Sequence, residues 1–124
     1  MPVIADYVLD NGLTVIDTQT THIYLTSAEA TSYANVSSVA VGNKTSLSAG
    51  DITLGAGSPN GRAITVAAVT GGTVTANGTA THYALTNNTN SRLLVTGDVN
   101  PDQVVTNGNT WAFASSFTIR IPNQ

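Results

Sequence analysis

From Trp111 to Ile121, large apolar side chains return at alternate positions. Trp111, Phe113, Phe117, Ile119 and Ile121 share one parity, while Ala112, Ala114, Ser116, Thr118 and Arg120 share the other. A period of two with the bulky residues on one side predicts a half-buried strand that gives those five to the core. Shorter runs of the same kind occur at LTVI (13–16), HIYL (22–25), SVAVG (38–42), DITLG (51–55) and RAITVAAV (62–69). They continue at TVTA (73–76), TATHYALT (79–86), SRLLVTG (91–97) and QVVT (103–106). Turn signals punctuate them: Asp10-Asn11-Gly12, the loop GAGSPNG (55–61), TGG between 62–69 and 73–76, Asn77-Gly78, VNPDQ (99–103) and Asn107-Gly108. Asn-Gly suits tight hairpins because both positions tolerate positive φ. One segment, TSAEATSYA (26–34), reads as a helix of one or two turns, with Thr26 and Glu29 spaced as a capping box. The pattern predicts a mainly β fold, a single-domain sandwich or barrel-like structure over residues 1–124 with one short helix. Residues 1–12, ahead of the first turn, form an N-terminal arm in this reading.

Composition sharpens this picture. Only 9% of the 124 residues are charged, against roughly 25% in an average soluble domain. Thr, Asn, Ser and Gly stand where Lys and Glu usually would. The hydrophobic fraction of 41% is ordinary, so the chain carries enough apolar residues to build a core. Lys44, Arg62, Arg92 and Arg120 are the whole basic complement and the net charge is -3, which argues against nucleic-acid binding. There is no cysteine, hence no disulfide framework and no thiolate metal site. No apolar run reaches the ~20 residues of a membrane span, and MPVIADYVLDNG lacks the basic and apolar regions of a signal peptide.

Candidate chemistry is sparse. His82 lies in the strand TATHYALT, in register with Ala80 and Ala84, with Tyr83 and Leu85 on the other face. A catalytic histidine needs a nucleophile and an orienting carboxylate, and no acid is close to His82 in sequence. No G-x-S-x-G elbow occurs either, so the reading is non-enzymatic and gives His82 a structural or interface role. His22 and His82 alone fall short of the three or four ligands of a zinc site. Asp98-Val-Asn100-Pro-Asp102 opens like a calcium loop, yet Gln103 and Asn109 stand where that loop needs Gly and Glu. An Asx turn preset by Pro101 is the expectation there, with no bound metal. GAGSPNG lacks the Lys-Ser/Thr ending of a phosphate loop, so no cofactor is expected.

The order of motifs along the chain carries more information than any one site. ADYVLDNGL, LTSAEATSYANV, VGNKTSL, NGRAITVAAV, TVTANGTATHYAL, SRLLVTG and FTIRIP together resemble a family of small tailed-bacteriophage and prophage virion proteins, over nearly the full length. The resemblance implies a structural component of the virion, made in the bacterial host cytoplasm, with no catalytic residues to carry over. A head decoration or cement protein is the favoured expectation. It would be a homo-oligomer that binds the major capsid protein on the outer surface of the head. Val3, Ile4, Tyr7, Val8 and Leu9 of the arm, with His82, are its candidate interface residues. The alternatives are a tail, fibre or baseplate component, or a carbohydrate- or host-receptor-binding module. The last would need exposed aromatics, and Trp111 is expected in the core.

Overall fold

The computed structural model describes residues 5–45, 52–56, 61–113 and 117–121. In chain order these form α1 (Asp6–Gln19), β1 (His22–Thr26), α2 (Tyr33–Val39), β2 (Ala40–Thr45), β3 (Ile52–Ala56), β4 (Arg62–Val66), β5 (Val69–Val74), β6 (Gly78–Asn87), β7 (Arg92–Val105), β8 (Thr110–Phe113) and β9 (Phe117–Ile121). The fold is mainly β, as the alternation predicts. A six-stranded sheet runs β7-β6-β1-β2-β5-β8 and a three-stranded sheet runs β3-β4-β9. All the strand pairs in both sheets are antiparallel. One apolar cluster joins the two sheets: Ile23, Leu25, Val41, Val69, Val74, Leu85 and Trp111 from the larger, Ile52, Ile64 and Val66 from the smaller. Leu13 of α1 enters the same cluster. On the opposite face of the larger sheet, Val36 of α2 packs with Ala30 and Ala84.

Several local expectations give way to tertiary packing. Residues 6–19 form a helix, so neither the 10–12 turn nor the 13–16 strand exists, and the described residues hold two helices where the sequence suggested one. LTVI reads as a short apolar, β-branched run on its own, but Leu9, Leu13 and Ile16 fall at i, i+4 and i+7, which puts them on one helical face against the core. The same packing corrects the N-terminal arm. Residues 6–12 belong to α1 and Leu9 is buried, whereas Tyr7 and Val8 are exposed. Val3 and Ile4 lie outside the described residues. The second helix starts later than the capping-box reading placed it. Ser32 caps α2 by accepting from the Asn35 amide at 3.1 Å, while Thr26 ends β1.

Long apolar runs divide where the chain changes sheets. RAITVAAV becomes β4 and the start of β5, one in each sheet, with Val66 and Val69 buried in the shared cluster. WAFASSFTIRI likewise divides into β8, paired with β5, and β9, paired with β4. Trp111 is buried and Ile119 packs half-buried against the core, while the side chains of Phe113, Phe117 and Ile121 lie outside the described residues. The expected 71–72 turn is instead strand β5, where Gly71 takes a positive φ of 75° and Gly72 has a packing reason. A Cβ on Gly72 would overlap the Trp111 indole, with Cδ2 and Nε1 at 2.5 Å. The indole Nε1–H reaches the Asn43 and Thr73 carbonyls, each at 3.2 Å, which satisfies its polar edge inside the core.

Candidate functional site

The expected turn at 99–103 is also part of a strand, but an interrupted one. Along the β6–β7 pairing His82 faces Asp98, and the next partners are Ala80 and Gln103. Residues 99–102 of β7 therefore stand opposite Thr81 alone, as a large bulge in the ladder. Pro101 lies inside this bulge, where its missing N–H costs no ladder bond. The Asx-turn expectation for Asp98-Val-Asn-Pro-Asp102 is corrected accordingly, since Asp98 is a paired strand residue.

The bulge opens a cleft of about 620 Å³. Ser27, Ala28 and Glu29, from the segment after β1, line it with Thr81, His82, Asp98, Val99 and Asp102. Two of its carboxylates have partners. His82 Nε2 lies 3.0 Å from Asp98 Oδ1, and the Thr96 hydroxyl donates to Glu29 Oε1 at 3.2 Å. The Thr81 hydroxyl sits 2.8 Å from His82 Nδ1. The fold thus brings to His82 the carboxylate that sequence proximity did not supply.

A hydroxyl, an imidazole and a carboxylate in line invite comparison with a hydrolytic triad. Two observations weigh against that use. Asp98 is 83% exposed, so solvent screens it and it holds the ring weakly. The same hydroxyl–imidazole contact also recurs between Thr21 and His22 Nδ1, at 2.7 Å, where Thr again precedes His on β1. The contact is a local property of a Thr-His pair in a strand. Next to it, the Tyr83 ring lies over Gly97, its direct partner on β7, and a Cβ there would come within 2.5 Å of the ring Cζ. Burial, with the Asp98 charge second, raises the Tyr83 pKa above its ordinary 10.0.

Around His22 a second polar group closes the β6–β7 turn. Asn88 Nδ2 donates to the Tyr24 hydroxyl at 3.0 Å, and the Thr86 hydroxyl donates to Asn88 Oδ1 at 2.7 Å. The Asn87 side chain accepts from the amides of Thr89 and Asn90, and Ser91 takes a left-handed φ of 56°. These contacts explain the Asn/Thr-rich run as turn chemistry.

Among the described residues no group of three His, Asp or Glu side chains could hold a metal ion, and no helix is long and apolar enough to cross a membrane. Trp111 is 8% exposed, which withdraws it from any sugar-stacking surface. Among the described residues the exposed large apolar side chains are Tyr7, Val8, Val15 and Val104, and three of these four belong to α1. At 100° per residue, Tyr7, Val8, Asn11, Thr14, Val15 and Thr18 form one outward stripe without charge, opposite Leu9 and Leu13. No family model matches the chain, nor does any curated protein or solved structure.

Proposed function

We propose that the protein is a structural subunit of a tailed-phage virion that binds the outer surface of the assembled head and stabilises it without chemistry. The observation that carries this reading is the uncharged stripe on α1, where Tyr7 is 77% exposed, Val8 58% and Val15 39%. Apolar side chains gathered on one helix face gain free energy when a neighbour covers them, by about 25 cal/mol per Å². Hydroxyl and amide groups between them (Asn11, Thr14 and Thr18) need no ion stripped of water on contact, so the desolvation cost stays low. The motif order supports the same reading, because it resembles virion proteins of similar length.

In this reading Tyr7 and Val8 keep the interface role and Leu9 leaves it for the core, while His82 lines the bulge cleft on another part of the surface. A subunit that binds only the assembled lattice raises particle stability by mass action. Heads lacking the protein, mixed with purified protein and sedimented, test it. Co-sedimentation and a higher disruption temperature are expected, and Val8→Asp with Val15→Asp should abolish both. Protein left in the supernatant, or immunogold label confined to tails, overturns the head assignment.

A further inference from the structure

We infer that α1 is a strap that leaves the sandwich as a unit while both sheets stay folded. The local forces holding it helical are weak. Its N-cap is Ala5, with no side-chain hydrogen bond to the first-turn amides, and its last turn carries no basic residue to meet the dipole. Gly12 sits in its interior, and Val8, Thr14, Val15, Ile16 and Thr18 are β-branched, which lowers helix preference further. The Thr14, Thr18 and Thr20 hydroxyls each turn back to the carbonyl four residues earlier, a bond that bends and loosens helices.

Attachment to the sandwich is also narrow. Leu9, Leu13 and Ile16 face the core, but Tyr7, Val8 and Val15 spend their apolar surface on solvent. An ion pair ties the helix to β4: Arg62 Nε donates to Asp10 Oδ1 at 2.6 Å, with both side chains partly exposed. By contrast β1 and β6 pair with each other and with further strands on both flanks, and Ile23 and Leu85 are fully buried. An element with few buried side chains and weak local preference opens below the global free energy. Opening α1 uncovers the apolar surface of β3 and β4 on which it packs, which gives the chain a second, transient hydrophobic face.

Amide hydrogen exchange on the full-length protein at low denaturant tests this. Amides of residues 13–17 are expected to exchange faster than those of Ile23 and Leu85, with a smaller denaturant dependence. Gly12 provides a clean variant, because a Cβ there meets nothing within 4 Å. Gly12→Ala should slow exchange in α1 about fivefold, and amides of β1 and β6 that exchange through global unfolding, in which α1 is also open, should slow by the same factor. Val36→Ala, on the opposite face of the larger sheet, should accelerate β1 and β6 and leave α1 unchanged, because α1 opens while the sheets stay folded. Equal rates and equal denaturant dependence across α1, β1 and β6 would overturn the inference. So would a Val36→Ala effect of the same size in all three, or no Gly12→Ala effect on α1.

Discussion

Gly72→Ala puts the packing of the core to a direct test. The new methyl group would occupy the position of the Trp111 ring, with indole Cδ2 and Nε1 at 2.5 Å from it. Both carbons of such a clash belong to groups with little freedom, one on strand β5 and one an indole anchored by carbonyls on two neighbouring strands. If the sheet yields and the indole stays, the cost is that of overpacking, about 1–3 kcal/mol. If the indole is expelled, burial of about 200 Å² is lost, worth about 5 kcal/mol at 25 cal/mol per Å². A destabilisation of about 2–4 kcal/mol is therefore expected. Trp111 is the single tryptophan of the chain, so its fluorescence reports both events. Urea titration followed by emission should give a lower midpoint, with native emission shifted to the red if the ring is displaced. Gly55→Ala in β3 is the control, since a Cβ there meets nothing within 4 Å, and it should change stability by less than about 0.5 kcal/mol. A loss under about 1 kcal/mol for Gly72→Ala with unchanged emission would refute the placement of the indole over β5.

Two titrations follow from the polar clusters. Burial lowers the His22 pKa below 6.5, so the unfolded chain binds that proton more tightly and stability should fall as pH drops through about 6.5. Denaturant midpoints between pH 5 and 8 check this, and His22→Gln should flatten the slope; a wild-type slope that survives the substitution would assign the effect elsewhere. The Tyr83 pKa is raised by burial and then by Asp98, so its contribution to stability is present below pH 10 and is lost as pH climbs through the folded value. Asp98→Asn should move the Tyr83 midpoint down in an NMR titration of its ring, and an unmoved midpoint would remove Asp98 from the account.

How much of this was legible in the sequence depends on whether a residue's partner is local. Strand β6 was readable because TATHYALT alternates over its whole length and ends in Asn-rich turn chemistry. The burial of Trp111 was readable from parity, but the reason for Gly71-Gly72 was not. A pair of glycines signals a turn equally well, and the ring that needs the space arrives 39 residues later than Gly72. Leu13-Thr14-Val15-Ile16 is ambiguous by itself; only the sheets underneath select Leu9, Leu13 and Ile16 as one buried face. The His82–Asp98 pair was hidden for the same reason, since it depends on the register of β6 against β7. Its one local signal was Pro101 within an apolar alternating stretch, which marks a bulge as readily as a turn.

That bulge also bears on what can pair along the edge of β7. β7 is the outermost strand of the six-stranded sheet and the longest of the described strands, and Val104 near its end is 84% exposed. A strand of this length on an open flank would template pairing with another chain in a concentrated solution. Residues 99–102 break its regular outline, and Pro101 offers no N–H to an incoming strand. An added strand would therefore meet two short straight pieces of β7 in place of one long one. The feature that shapes the cleft thus also interrupts the β7 edge along which another strand would add.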